Sequence, residues 1–241
     1  MSSLANRLQT LSIPGPAGSL EALLFEGQPD ARYAALVCHP HPMGGGTMHN
    51  KVVYRAAKTM QSLGLPTLRF NFRGTGLSEG QHDEGRGERD DVRAALDWLH
   101  HRYALPILVV GFSFGAHVAL RACCRDAGND DDAPRSDVRV SGFAALGLPV
   151  AAEGRDYSYD FLQRCTLPKL FISGGADQYG PQAALARIVE SAAQPATLVI
   201  VPDADHFFAG KLDQMQHALR EWLVSRFFSD ADSAYVVTHA R

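Results

Sequence analysis

Three side chains of the types needed for nucleophilic catalysis follow one another along the chain. Ser113 lies between two glycines in GFSFG, Asp177 lies in FISGGADQYGP, and His206 lies in VIVPDADHFF. A serine hydroxyl is a weak nucleophile at neutral pH, and it becomes reactive when a histidine accepts its proton and a carboxylate orients that histidine. The three groups are far apart in sequence, so a fold must bring them together.

The glycines around Ser113 predict a sharp turn between a strand and a helix. The apolar run ILVV (107–110) precedes the serine, and the segment FGAHVAL follows it. A turn this tight needs residues without bulk on both sides, which Gly111 and Gly115 provide. The serine oxygen would then project above the carboxyl end of the strand, near a helix N-terminus that favours negative charge. The alternative is an incidental loop serine, which the downstream acid and base disfavour.

Short apolar runs predict the strands that position these residues. Most of the runs are too continuous for strands with one exposed face, so they indicate buried parallel strands. They are YAALVC (33–38), PTLRFNF (66–72), ILVVG (107–111), VRVSGFAAL (138–146), KLFIS (169–173) and TLVIV (197–201). Because Ser113, Asp177 and His206 each come after the end of such a run, we expect them at the same edge of a sheet.

Helical patterns alternate with these runs. Apolar residues recur at helical spacing within 52–63, 92–103, 185–192 and 212–223. This alternation predicts a parallel sheet with helices on both faces, since each right-handed crossover packs its helix back on the sheet. The earlier segments NRLQTLSI and GSLEALLFEG, joined through PGPAG, predict a hairpin at an antiparallel edge.

The composition is that of a globular protein with one core. With 241 residues and 46% hydrophobic residues, we expect a single domain over 1–241. A net charge of -3 gives no large positive field for a nucleic acid or an anionic membrane, so neither partner is expected. No apolar run approaches the about 18 residues of a membrane span, and the N-terminus lacks a secretory pattern. We therefore expect a cytoplasmic protein.

Several other segments carry no chemistry in this interpretation. The four cysteines show no paired metal-ligand spacing, and we expect them to be reduced packing residues. The acidic stretch 126–137 lacks the glycine and terminal glutamate of a calcium loop, which favours a solvated connection. The tail 229–241 either extends freely or packs on a neighbouring copy, and the oligomeric state stays open. The cysteines are Cys38, Cys123, Cys124 and Cys165.

Taken together, these residues resemble the α/β-hydrolase superfamily, in particular the small bacterial serine hydrolases related to dienelactone hydrolase. The similarity covers nearly the whole chain, through CHPHPMGGGTMHNKVV, FNFRGTGLSEG, GFSFGA, GGADQ and DHFFAGKL. Dienelactone hydrolases carry cysteine where this chain has Ser113. The resemblance implies an α/β-hydrolase fold, with a mostly parallel sheet of about eight strands and helices on both faces. It implies Ser113 as nucleophile, Asp177 as acid and His206 as base, although a fold alone supplies no activity.

The resemblance also implies an oxyanion hole made of two backbone amides. One is the amide after the nucleophile, here that of Phe114, and the other comes from the loop HPHPMGGG (39–46). Pro40 and Pro42 have no N–H, so among residues 40 to 42 only His41 keeps one. We expect His41 to donate through its main chain, with Met43 as the alternative.

Other acidic residues compete with Asp177. Asp156 and Asp160 follow the predicted strand at 138–146, and a carboxylate placed after that strand could also reach His206. Asp203 and Asp205 share nearly the same backbone as His206, which makes it awkward for them to orient its ring.

The histidines of HPH also allow a metal interpretation. His39 and His41 would face the same way in an extended segment, as two ligands could. No further cluster with ligand spacing completes such a site, so we expect no metal and no other cofactor. Arg73, in RGTGLS (73–78), is expected to tie its loop together rather than to contact a substrate.

No large cap is predicted over the site. Many hydrolases of this fold insert helices after the sixth core strand, but here only residues 147–168 separate two strands, enough for about one short helix. An open site favours small or flexible acyl substrates. We expect Tyr157 and Tyr159, in YSYDF, and Met43 and Phe207 to line the pocket. Phe207, with the neighbouring phenylalanine, could instead pack the last helix on the sheet.

The residues predict an acyl transfer with a small-molecule acyl substrate. Ser113 would attack a carbonyl, form an acyl-enzyme and release it to water activated by His206. Carboxylic esters are the leading substrates, and thioesters or small amides would use the same groups. Two other classes stay open: a binding module that keeps the scaffold without the chemistry, and a metal-dependent hydrolase.

Overall fold

The computed structural model describes residues 8–124, 138–152 and 155–229. The predicted acidic connection at 126–137 and the tail beyond Ser229 lie outside these residues. Within them, strands and helices alternate along the chain as the sequence predicts.

The core of the structure is an eight-stranded sheet. Its strands are β1 (Leu8–Gly15), β2 (Gly18–Phe25), β3 (Ala34–Cys38), β4 (Thr67–Phe70), β5 (Ile107–Phe112), β6 (Val140–Leu146), β9 (Lys169–Gly174) and β10 (Ala196–Val201). They lie in the order β1-β2-β4-β3-β5-β6-β9-β10. The six strands from β4 to β10 in this order are parallel, and the hairpin β1–β2 adds the antiparallel edge. The predicted α/β-hydrolase architecture is confirmed.

The helices cover both faces of this sheet. They are α1 (Lys51–Ser62), α2 (Arg86–Tyr103), α3 (Phe114–Cys123), α4 (Gln182–Ser191) and α5 (Leu212–Leu223), with a π-helical turn at Val224–Phe228. Apolar residues of α1 and α5 pack in one core cluster, and those of α2, α3 and α4 pack in the other. Both faces of the central strands are therefore buried.

Strand β3 illustrates why the runs are continuously apolar. Leu36 belongs to one core cluster, whereas its neighbours Ala35 and Val37 belong to the other. Successive side chains of a strand point to opposite faces, so a strand covered on both sides needs apolar residues at every position.

The order of the strands leaves a crevice at their carboxyl ends. From β3 the chain passes through α1 to β4 on one side, and then through α2 to β5 on the other side of β3. In open α/β sheets, ligands bind where the strand order reverses in this way. The loop after β3 and the turn after β5 flank this point.

The segment between β6 and β9 stays small. It holds two strands of two residues each, β7 (Ala151–Ala152) and β8 (Arg155–Asp156), which pair in antiparallel fashion. A short 3₁₀ helix follows at Asp160–Gln163. The sequence predicts about one short helix here, and it does not predict the antiparallel pair of β7 and β8. No large cap lies in the described part of this segment.

The prediction of four reduced cysteines is wrong for one pair. Cys124 and Cys165 form a disulfide, with Cα atoms 5.3 Å apart, and it joins the end of α3 to the residues after the 3₁₀ helix. Sequence spacing does not reveal such a pair, because its members come close only through the tertiary fold. Cys38 and Cys123 are free. Burial raises the pKa of the Cys123 thiol to about 12 and that of Cys38 well above its ordinary value.

None of the helices in the described ranges combines the length and the apolar character needed to cross a bilayer.

Candidate active site

The turn after β5 holds Ser113 in a strained conformation. Its backbone has φ 54° and ψ −122°, a region that residues other than glycine rarely adopt and that costs about 1–3 kcal/mol. The Ser113 amide donates to the Leu146 carbonyl at 2.9 Å, and the Ser113 carbonyl accepts from Ala116 and His117 at 2.9 and 3.1 Å. These contacts hold the strained turn in place.

The two glycines beside Ser113 are required by close contacts. A Cβ atom on Gly111 would lie 2.4 Å from the Cα of Ala116, and one on Gly115 would lie 2.3 Å from the carbonyl oxygen of His39. Both neighbours are backbone atoms, which cannot move without displacing the sheet or the loop. Any larger residue at either position would therefore deform the turn.

Ser113, His206 and Asp177 lie in one chain of hydrogen-bond distances. The Nε2 atom of His206 lies 2.9 Å from Ser113 Oγ, and its Nδ1 atom lies 2.9 Å from Asp177 Oδ2. A carboxylate only accepts, so Nδ1 carries the proton and Nε2 is left to accept from the serine hydroxyl. This is the arrangement in which a histidine can remove the serine proton.

Asp177 is held by more than the histidine. Ser173 Oγ donates to its Oδ2 at 3.2 Å, and the amides of Tyr179 and Gly180 donate to its Oδ1 at 2.9 and 3.2 Å. Burial raises the pKa of the Asp177 carboxyl, but the hydrogen bond and charge of His206 and the two amides outweigh burial and lower it overall. The side chain is therefore an ionised, oriented acceptor at neutral pH.

The ring of His206 is also fixed by packing. The residue is 5% exposed, and ring centroids of Phe112, Tyr179 and Phe207 lie 5.2, 4.7 and 5.2 Å from its own. On another side the ring lies close to Gly147, where an added Cβ atom would be 3.1 Å from the Cε1 atom of the ring. The imidazole therefore keeps one orientation without a substrate.

The loop after β3 lines the same cleft as Ser113. Pro42–Gly44 forms a short 3₁₀ helix, and the amides of Gly44 and Gly46 both donate to the His41 carbonyl at 3.0 Å. The Met43 amide donates to His41 Nδ1 at 3.1 Å. The loop itself therefore uses the Met43 amide, and the amide of His41 stays the predicted oxyanion donor.

The second expected donor is the first residue of a helix. Phe114 begins α3, and the amides of the first turn of a helix have no partner within the helix. Such amides, with the positive end of the helix dipole, attract negative charge that develops near them. Phe114 and His41 both line the cleft above Ser113.

This cleft has a volume of about 390 Å³. Three of the predicted pocket residues line it: Met43, Tyr157 and Phe207. Met43 and Phe207 are 76% and 52% exposed, so they lie at its mouth. The other lining residues are Pro40, His41, Gly44, Gly45, Gly46, Asn50, Ser113, Phe114, Pro149, Tyr179 and His206.

Tyr159 is not among the lining residues. It is buried, its hydroxyl donates to the Pro149 carbonyl, and its ring packs on His117. Its side chain therefore belongs to the core cluster and does not line the cleft. Sequence reasoning missed Tyr179, although its place two residues after Asp177, at the carboxyl edge of the sheet, was a usable signal.

The competing acids take other contacts. Asp160 is exposed and accepts from Ser158 Oγ at 3.2 Å. Asp205 Oδ1 accepts from the amides of Phe207 and Ala209 at 3.0 and 2.9 Å, which shapes the loop of His206. The side chain of Asp156 lies outside the described residues.

Arg73 holds its loop, as the sequence predicts. It pairs with the buried carboxylate of Asp91 at 2.7 Å, and its backbone amide donates to the same group at 3.0 Å. Over the described ranges, no group of three histidine, cysteine, aspartate or glutamate side chains is arranged to hold a metal ion.

Comparisons with known proteins agree with this fold. Residues 34–224 match the family model described as an alpha/beta hydrolase domain. A solved structure from Xanthomonas campestris, described as a member of the a/b serine hydrolases without a lid, is 32% identical with a TM-score of 0.77, covering 93% of this chain and 97% of that one. An alpha-beta serine hydrolase homologue from Coxiella burnetii is 33% identical with a TM-score of 0.78, covering 92% and 100%.

The dienelactone hydrolases share the fold. The structure of one from Anabaena variabilis superposes with a TM-score of 0.72 at 20% identity, covering 92% of this chain and 98% of that one. At this identity the likeness concerns the architecture alone.

Proposed function

This chain belongs to the alpha/beta hydrolase family, and we propose that it is a serine hydrolase that cleaves small carboxylic esters through an acyl-enzyme. One observation carries the proposal. Ser113 Oγ, His206 and Asp177 are linked at 2.9 Å and 2.9 Å, and the serine lies in an open cleft. Nucleophile, base and acid are thus in contact where a substrate can reach them.

Acylation begins at Ser113. Its Oγ attacks the carbonyl carbon of the ester while His206 Nε2 removes the hydroxyl proton, which gives a tetrahedral intermediate with a negative oxygen. When the intermediate collapses, the bond to the alcohol breaks, and the alcohol leaves with the proton from Nε2. Asp177 stays ionised and stabilises the imidazolium that forms in between.

The oxyanion accepts hydrogen bonds from the backbone amides of His41 and Phe114. One such donor typically contributes about 3 kcal/mol to transition-state stabilisation. The Phe114 amide acts together with the first turn of α3, whose dipole favours the same charge.

Deacylation repeats these steps with water. His206 removes a proton from a water molecule, the resulting hydroxide attacks the acyl carbon, and the bond to Ser113 Oγ breaks as the serine regains its proton. The acid is released, and no metal or organic cofactor enters the sequence of steps.

The size and walls of the cleft support small esters. About 390 Å³ holds a short acyl group and an alcohol, and the side chains of Met43, Tyr157, Tyr179 and Phe207 are largely apolar. The similar hydrolase from Xanthomonas campestris is described as having no lid. We infer an uncovered site that admits substrates without a conformational opening. The cytoplasmic location of the protein stays a prediction.

The first test is covalent labelling by a fluorophosphonate, followed by intact mass. We expect one adduct on the wild type and none on Ser113→Ala. Ser158→Ala is the matched control, because this serine is exposed, lies beside Tyr157 and donates to Asp160. A folded wild type that forms no adduct would overturn the proposal in favour of a binding module.

A substrate series then tests the ester assignment. We expect p-nitrophenyl esters with two to four acyl carbons to be cleaved faster than long-chain esters. Higher kcat/KM for matched thioesters or anilides would replace the ester assignment with a thioesterase or an amidase that uses the same residues.

A further inference from the structure

We propose that His39 is a positioning residue of the oxyanion hole: its ring fixes the orientation of the Pro40–His41 peptide and thereby aims the His41 amide at the reacting oxygen. The inference deepens the proposed function and rests on it. It is carried by contacts on both nitrogens of a buried ring and by the planarity of one peptide bond.

His39 is fully buried directly after β3, and both ring nitrogens contact backbone groups. Nδ1 lies 2.6 Å from the Pro40 carbonyl oxygen, and Nε2 lies 3.0 Å from the Phe72 amide nitrogen. An amide can only donate and a carbonyl can only accept. Nε2 therefore accepts from Phe72, and Nδ1 carries the proton and donates to Pro40.

The contact with Pro40 acts on His41 through one rigid unit. The Pro40 carbonyl and the His41 N–H belong to the same planar peptide group and point in opposite directions in a trans peptide. Holding the carbonyl therefore holds the N–H. On the other side, the His41 carbonyl is held by the amides of Gly44 and Gly46, each at 3.0 Å. Both peptide planes that flank His41 are thus fixed.

His39 is itself held against two other segments, one through its ring and one through its backbone. Its Nε2 contact reaches Phe72, just after β4, and its centroid lies 4.7 Å from that of the Phe72 ring. The carbonyl oxygen of His39 faces Gly115, where a Cβ would lie only 2.3 Å away. His39 therefore ties the oxyanion loop to the segment after β4 and to the turn that carries the nucleophile.

The neutral ring is the form that these contacts need. Burial lowers the pKa of His39 to about 4, opposed by its hydrogen bond to Pro40. At neutral pH Nε2 therefore keeps the lone pair that accepts from Phe72. Because both nitrogens are engaged within the protein, His39 is not placed as a metal ligand, although HPH allowed that interpretation.

Two conservative variants separate the two contacts. The amide of an asparagine reaches about as far as Nδ1 of histidine, and the amide of a glutamine reaches about as far as Nε2. His39→Asn keeps a donor for the Pro40 carbonyl and loses the acceptor for Phe72. His39→Gln keeps an acceptor for Phe72 and loses the donor for Pro40. Each variant loses one buried hydrogen bond, so each is the stability control for the other.

The experiment measures kcat and KM of both variants on a short p-nitrophenyl ester, together with thermal unfolding. We expect kcat of His39→Gln to fall by about 10- to 100-fold with KM within about threefold, because an interaction of the transition state is lost. We expect His39→Asn to keep kcat within about threefold, although both variants lower Tm similarly. Equal kcat for the two folded variants would overturn the proposal.

A second measurement, made on the wild type, tests the proposal even if the variants do not fold. In the wild type, ¹⁵N spectra of the histidine rings at pH 7 report which nitrogen of His39 carries the proton. A proton on Nδ1 supports the proposal, and a proton on Nε2 overturns it. Fluorophosphonate labelling of the wild type keeps the two proposals apart: failure to label rejects the proposed function, whereas labelling with equal His39 variants rejects only the role of His39.

Discussion

The floor of the cleft and its mouth differ in burial and in hydrogen bonding. The floor consists of Ser113 and His206, which line the cleft, together with the buried residues His39 and Asp177 that do not line it. Its polar side-chain atoms contact one another or the backbone. The mouth, made of Met43 and Phe207, is exposed, and Met43 is 76% accessible. The floor is ordered before any substrate binds, whereas the mouth meets solvent. We infer that the floor sets the rate and the mouth sets which esters bind.

Removing the nucleophile should have the largest effect. We expect Ser113→Ala to lower kcat by about 10⁴- to 10⁶-fold without loss of Tm, because among the described residues the serine side chain is hydrogen-bonded only to His206. Steady-state hydrolysis of p-nitrophenyl acetate measures this. A loss below tenfold would show that the floor does not carry the chemistry.

Changing the acid should have the next largest effect. Asp177→Asn keeps the size of the side chain but can donate to Nδ1, which favours the wrong tautomer of His206, and we expect kcat to fall by about 10³- to 10⁴-fold. Asp160→Asn is the matched control, because Asp160 is exposed and bonds to Ser158. If Asp160→Asn were the more damaging change, the acid would belong to the segment around the mouth.

The buried histidine of the floor should make stability depend on pH. Burial lowers the pKa of His39 to about 4, below its ordinary 6.5. Between these values the unfolded chain binds more protons than the folded one, so the free energy of unfolding falls as pH drops from about 6.5 to 4, by up to about 3 kcal/mol. Urea unfolding at both ends of this window measures it.

The matched variant for this effect is His39→Asn, which removes the titrating group. We expect its stability to fall less steeply over the same window. Some dependence remains, since burial also lowers the pKa of His117 to about 4. An unchanged slope would show that His39 does not contribute.

Changes at the mouth should have the smallest effect on rate. We expect Phe207→Ala and Met43→Ala to raise KM by about two- to tenfold and to leave kcat within about threefold, because uniform binding is lost and the hydrogen-bonded floor is intact. The Michaelis parameters over a series of acyl chain lengths measure this. If kcat fell as far as in Asp177→Asn, the separation of floor and mouth would be wrong.

Sequence reasoning predicted the fold and the three candidate catalytic residues from features that lie within a few residues of one another. Buried strands require apolar residues at successive positions, and the turn at Ser113 requires glycines, so both leave signals within a few residues. The three candidate catalytic residues each follow a strand end, and the structure brings their side chains within hydrogen-bond distance.

The mouth and the disulfide were harder to predict. Tyr157 and Tyr159 are alike in sequence, but Tyr157 lines the cleft, whereas Tyr159 packs in the core and donates to the Pro149 carbonyl after β6. Cys165 pairs with Cys124 and not with a near neighbour in sequence. In both cases the deciding contact lies on another element of the fold.

By itself, the sequence determined the sheet, its antiparallel edge, the alternation of helices and the order of nucleophile, acid and base candidates. Those features depend on periodicity, on strand ends and on glycine, which act over short stretches of chain. Only the tertiary structure decided that His39 turns its ring to the Pro40–His41 peptide and accepts from Phe72. That contact joins the ends of β3 and β4, strands that pair side by side only once the sheet has formed.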